Sequence, residues 1–152
     1  MIVYLGLGSS VGNKKQVLLD ACVEIKKWGH SFQCSSFVYS APWGGVAKNE
    51  FVNAVCSIVV DESVSPEILL KKIHLLEKKF QRTRNIKWED RTLDVDILLY
   101  GQKKFSTELL TIPHFYILDR PFVYEPLLEI MKELKSKKEL KKYIEKISNN
   151  VG

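Results

Sequence analysis

"WEDRTLDVDILLYG" (residues 88–101) sets two acids, Asp94 and Asp96, inside an otherwise apolar run. Leu93, Val95 and Ile97 alternate with them, which is the period of a strand. A strand over 91–100 therefore projects both carboxylates from one face and the aliphatic side chains from the other. Strands disfavour Asp, and neighbouring like charges repel. The pair needs either a cation between the carboxylates or a solvated face that tolerates both. Carboxylates roughly 6.6 Å apart on a strand suit a hard cation such as magnesium, which keeps waters and substrate phosphates among its ligands.

Upstream, "SPEILLKKIHLLEKKFQ" (65–81) reads as a helix with Ser65 as N-cap, Pro66 in the first helical position and Glu67 in the first turn. Leu69, Ile73, Leu76 and Phe80 make its core stripe. Before it, "FQCSSFVYS" (32–40) and "FVNAVCSIVVD" (51–61) read as strands, joined by the long loop "APWGGVAKNE". "IVYLGLGS" (2–9) is a further strand. "KKQVLLDACVEIKKWG" (14–29) follows as a helix with Gly29 as its stop. Downstream come a short strand near 103–106, the loop "TIPHFYILDRPFVYEP" (111–126) and one or two C-terminal helices. The order β-α-β-β-α-β predicts an α+β, ferredoxin-like fold in a single domain over 1–152: an antiparallel sheet, helices on one face, and a C-terminal helical extension. The other sheet face and its loops are left for a site.

Composition is that of a globular protein, with 45% hydrophobic and 27% charged residues. No apolar run approaches the ~20 residues of a membrane span. The N-terminus lacks the basic start of a signal peptide, so the expected compartment is the cytoplasm. Three cysteines, Cys22, Cys34 and Cys56, without metal-ligand spacing read as small buried hydrophobes. The net charge of +5 suits an anionic partner without choosing among nucleic acid, nucleotide and membrane surface. "KELKSKKELKKYIEK" (132–146) accounts for many of the lysines and reads as a solvated helix face.

Arg82, Arg84 and Arg91 lead into the acid pair, with Lys87 and Trp88 between them. Arginine forks match phosphate oxygens, so arginines beside a magnesium site suggest a polyphosphate; the alternative is that they neutralise the aspartates directly. Glu77 either reaches toward that site or is a helix-surface acid, and the residues alone favour the latter. His114 either donates to a phosphate or makes a structural hydrogen bond. Phe51 and Asn53 share a strand face, where a ring can stack on a flat heterocycle and an amide can read its edge; otherwise they are core and turn residues. Phe122 offers a second ring. Neither a P-loop nor a GxGxxG motif is present. A basic ferredoxin-like RNA-binding module is the rival reading, opposed by the two acids on the exposed face of the last strand.

"YLGLGSSVGN", "FVYSAPWGG", "FVNAV", "DRTLDVDILLYG" and "TIPHFYILDRPFVYEPLLEI", in that order, resemble the 6-hydroxymethyl-7,8-dihydropterin pyrophosphokinases of folate biosynthesis along nearly the whole chain. The resemblance implies transfer of the terminal pyrophosphoryl group of ATP to the pterin hydroxymethyl oxygen, releasing AMP. It implies that Asp94 and Asp96 bind two Mg²⁺ ions, and that Arg82, Arg84 and Arg91 contact phosphates or help close the site. Glu77, Ile97, Thr111, His114 and Arg120 would line the ATP site, and Trp88 would lie in a loop that closes over both substrates. Phe51 and Phe122 would sandwich the pterin, Asn53 and Ser40 would bond its edge, and Pro42 and Trp43 would line its pocket. The expected partners are these two small molecules, with no nucleic acid and no membrane, and the expected state is a monomer. His74, Gln81, Glu89-Asp90, Leu109 and Phe115 depart from the family's usual residues, which bears on loop closure and ATP affinity.

Overall fold

Alternating small and apolar residues in "IVYLGLGS" build the central strand β1 (Ile2–Ser9), with Val3, Leu5 and Leu7 buried on one face and Gly6 and Gly8 on the other. The computed structural model describes residues 1–41, 50–82 and 93–149, the side chain of Arg82 excepted. β1 is followed by α1 (Lys14–Ile25), β2 (His30–Cys34), β3 (Val38–Ser40), β4 (Phe51–Val59), α2 (Pro66–Arg82) and β5 (Asp94–Tyr100). The short pair β6 (Phe105–Ser106) and β7 (Thr111–Ile112) comes next, and then the helices α3 (Pro121–Ile130) and α4 (Lys137–Ser148).

The main sheet has the order β2-β4-β1-β5 with β3 also paired to β4, and every pairing in it is antiparallel. That order follows when two split βαβ units interleave, each helix carrying the chain past one intervening strand. α1 and α2 cover one face. Their Leu18, Ala21, Ile25, Leu69 and Ile73 pack on Leu5, Ala54, Cys56 and Ile97. Ser65 caps α2, its Oγ accepting from the Ile68 N–H at 3.2 Å, and Ser136 caps α4 in the same way toward Glu139.

The opposite face is not left open. Tyr4, Val55, Leu98 and Leu99 form a second core with Ile117, Leu127, Met131, Leu140 and Ile147, so the C-terminal helices close that side. Apolar residues on both faces of β1, β4 and β5 demand two cover layers. Among the described residues, the end of the face bearing Gly6, Gly8, Asn53, Asp94 and Asp96 lies outside that second core. α3 also takes over residues 121–126 of the expected loop. Pro121 sits where a helix tolerates it, and Pro126 lies inside the helix, buried beside Leu127.

Three further expectations change in detail. The strand expected over 32–40 is broken into β2 and β3, because Ser35 turns its hydroxyl onto the backbone: Oγ accepts from the Val55 N–H at 2.9 Å and donates to the Ser36 carbonyl. Glu129 of α3 then clamps Ser36, accepting from its N–H at 2.6 Å and from its hydroxyl at 2.5 Å. Gly29 does end the first helical segment, but with φ −174°. It is needed because a Cβ there would lie 2.0 Å from the Val59 carbonyl oxygen, so it serves a close approach rather than a left-handed cap. Cys22 and Cys56 are buried as expected, whereas Cys34 is exposed on the edge strand β2, opposite Cys56. The lysine-rich face of α4 is exposed as expected, and Leu140 and Ile147 anchor the helix from its other side.

Candidate active site

The register brings the separated motifs together. Gly8 is paired with Asn53 on one side and Asp94 on the other, and Gly6 with Val55 and Asp96. Side chains of paired residues share a sheet face. The acids of β5 and the ring and amide of β4 therefore flank a strip of β1 that carries no side chains. A Cβ on Gly8 would stand 3.2 Å from Asn53 Oδ1 and 3.6 Å from the Phe51 ring.

One cavity of about 200 Å³ lies on this strip. Its lining includes Ser40, Phe51, Asn53, Asp94, Asp96, His114, Arg120 and Phe122. The Asn53 amide nitrogen donates to Ser40 Oγ at 2.7 Å and to the Val38 carbonyl at 3.3 Å. Those bonds fix the amide plane. A second cleft, about 390 Å³, lies on the other side of the acids, lined by residues that include His74, Glu77, Ile97, Leu109, Thr111 and Phe115. Asp94, Asp96 and His114 belong to both walls.

β5 ends the sheet path, so its outer backbone groups need partners from outside the ladder. The His114 N–H donates to the Leu98 carbonyl at 2.9 Å. The Glu77 carboxylate accepts from the Val95 N–H at 3.0 Å, and Glu77 is only 9% exposed. Glu77 is thus no helix-surface acid, the reading that the residues by themselves favoured. What hid this is that one turn of helix carries both the core stripe and the residue beside it.

His114 follows the cis Ile112–Pro113 peptide. Its Nδ1 accepts from the Tyr116 N–H at 3.2 Å, and Nε2 stands 4.0 Å from Asp96 Oδ1. Burial lowers its pKa below the usual imidazole value; Asp96 opposes that shift and Arg120 adds to it. The neutral ring, with Nδ1 used as an acceptor, carries its proton on Nε2 and offers it toward the acids. The Arg120 guanidinium lies over the Tyr116 ring, 4.3 Å from its centre, and 6.0 Å from the centre of the Phe122 ring. Tyr116 was not singled out in the sequence; its only signal was its place in an aromatic run after His114. Arg120 lines the first cavity, on the ring side of the acids.

Arg84, Arg91, Trp88, Pro42 and Trp43 lie outside the described residues, and so do Glu89 and Asp90. Arg82 ends α2. Among the described residues no group of three or more His, Cys, Asp and Glu side chains surrounds a metal position. Two carboxylates over bare backbone fit magnesium, whose other positions go to water and phosphate. They would not satisfy a cation that demands a full protein cage.

Two cavities that meet at a carboxylate pair have the form needed by an enzyme that joins two small molecules. A model of the 7,8-dihydro-6-hydroxymethylpterin-pyrophosphokinase family matches residues 4–132. The 2-amino-4-hydroxy-6-hydroxymethyldihydropteridine pyrophosphokinases of Aquifex aeolicus and Haemophilus influenzae are each 38% identical to the chain, over 84% and 86% of it and 79% and 82% of their own lengths. The folic acid synthesis protein fol1 of Pneumocystis carinii is 39% identical over 87% of the chain, which spans only 18% of that relative. The chain belongs to the 7,8-dihydro-6-hydroxymethylpterin-pyrophosphokinase family. It is an ATP-dependent diphosphotransferase that passes pyrophosphate to the hydroxymethyl group of the dihydropterin, a step of folate biosynthesis. No helix among the described residues is long and apolar enough to cross a membrane.

Proposed function

We propose that the cavity bearing Phe51 and Phe122 takes the pterin, that the cleft bearing His74 and Thr111 takes ATP, and that the reacting groups meet at Asp94 and Asp96. The observation that carries this reading is the sharing of Asp94, Asp96 and His114 between the two walls. The smaller cavity offers rings for a flat heterocycle, and the larger cleft offers room for a nucleotide.

In this reading the pterin hydroxyl oxygen forms a bond to the β-phosphorus of ATP. The bond from that phosphorus to the oxygen bridging it to the α-phosphate breaks, AMP leaves, and the hydroxyl proton passes to solvent. Mg²⁺, two ions held by Asp94 and Asp96, would neutralise phosphate charge and orient the phosphates. Phe51 and Phe122 stack the pterin, while Asn53 and Ser40 bond its edge and Pro42 and Trp43 line its pocket. His114 donates from Nε2 to a phosphate oxygen, and Arg120, its guanidinium over the Tyr116 ring, adds positive charge beside it. Arg82, Arg84 and Arg91 contact phosphates, Ile97 and Thr111 shape the nucleotide side, Glu77 stands in its wall bonded to the Val95 N–H, and Trp88 covers both substrates. Catalysis is then mainly positioning and charge neutralisation. The active form is a cytoplasmic monomer with one domain over 1–152.

The test is AMP release from ATP and Mg²⁺ with and without 6-hydroxymethyl-7,8-dihydropterin. AMP and pterin diphosphate formed only when both substrates and metal are present support the reading. ATP binding without pterin-dependent AMP would reject the pterin assignment of the first cavity.

A further inference from the structure

We infer that Glu77 is a positioning residue for the acid pair rather than a contact to the nucleotide; this rests on the proposed reading of Asp94 and Asp96 as metal ligands. Val95 is the single residue between the two acids. Val95 is 5% exposed, its side chain part of the core that α1 and α2 cover. Its N–H points off the open edge of the sheet, where Glu77 accepts it at 3.0 Å. The side chain is thus held from below and the amide from the side, and both neighbouring Cα atoms are fixed by that one residue.

Glu77 stands on the same helix as Leu69, Ile73 and Leu76, all buried against the sheet, so its own backbone has little freedom. An acceptor oxygen on so fixed a backbone ties the Val95 N–H to one position. Groups behind metal ligands commonly govern metal affinity in this way without touching the ion. Glu77 also forms part of the wall of the nucleotide cleft. The competing role, a direct nucleotide contact, therefore makes a different prediction for the same side chain.

Two conservative variants separate the roles. Glu77→Gln keeps an oxygen at the same reach; Glu77→Asp keeps the charge and draws the oxygen back by one methylene. Mn²⁺ uptake in the presence of a non-hydrolysable ATP analogue is read by electron paramagnetic resonance, and Val95 amide exchange by NMR. Nucleotide affinity is measured separately in EDTA. Glu77→Asp is expected to weaken Mn²⁺ binding about 10-fold or more, on the scale of changes behind metal ligands. It should also speed Val95 exchange relative to Tyr100, and leave metal-free nucleotide affinity unchanged. Glu77→Gln should stay near the unaltered protein on all three readouts.

Unchanged Mn²⁺ affinity in Glu77→Asp, whatever its melting temperature, overturns the inference. So does a Glu77→Gln protein that loses nucleotide affinity in EDTA, because charge toward the nucleotide would then be the role. Absence of Mn²⁺ uptake by the unaltered protein would overturn the metal reading itself, and that failure is visible before any variant is made.

Discussion

Gly8 and Asp94 face each other across β1 and β5, and the missing side chain on one leaves the other looking over bare backbone toward Asn53. Gly8→Ala would put a methyl group 3.2 Å from Asn53 Oδ1, in the floor of the cavity. Pterin affinity is expected to fall by roughly 1–3 kcal/mol, the usual cost of overfilling a packed site. ATP affinity should hold. Titration of each ligand separately, by calorimetry, checks both parts.

Asp96→Asn is expected to lower turnover by about 10²–10³-fold or more, as when a group that stabilises transition-state charge is lost. The Asp96 side chain is 53% exposed, so thermal stability should change little. Removing divalent metal with EDTA should reproduce the loss in the unaltered protein. An unimpaired rate in the variant would take Asp96 out of the metal site.

His114 yields a pH prediction for the metal-free protein. Its folded pKa lies below the ordinary value of 6.5, chiefly because the ring is buried. Below pH 6.5 the unfolded chain therefore binds more protons than the folded one, and stability rises with pH through that window. The contribution is fully present above the unfolded pKa and is lost as pH falls toward the folded pKa. The chemical shift of the His114 ring followed by NMR should titrate below 6.5. A midpoint above that value would contradict the burial argument.

Gly29→Ala separates folding from function. The added Cβ would overlap the Val59 carbonyl at 2.0 Å, forcing β4 and the turn apart. A loss of about 1–3 kcal/mol or more is expected from denaturant melts. Val59 is at the far end of β4 from Phe51, so pterin affinity of the folded fraction should be retained.

The elements were legible wherever periodicity and caps agreed, as in α2 with Ser65 and Pro66, or in β5 with its alternating acids. The break between β2 and β3 was hidden because it depends on Ser35 bonding Val55 and on Glu129 reaching Ser36 across the fold. Such tertiary bonds leave no local pattern. The same holds for the second core: Tyr4, Val55 and Leu98 look like ordinary strand residues until α3 and α4 lie on them. Of the site, the acids and the Phe51–Asn53 pair could be read from two-residue spacing. Their meeting over Gly8 is a matter of register, which no single strand encodes. Tyr116 and the backbone bond of Glu77 belong to that same class.

The cover over the second sheet face has a consequence for the chain as it is made. Synthesis delivers both acids before Tyr116, Arg120 and Phe122 exist, and α3 and α4 follow β5. A nascent chain that has already paired β1, β4 and β5 still presents Tyr4, Val55 and Leu98 to its surroundings. It is then open to aggregation and to chaperones. Arg120, Phe122 and Val123 join the wall of the first cavity as α3 docks, so the step that buries this sticky surface also completes the cavity proposed for the heterocycle.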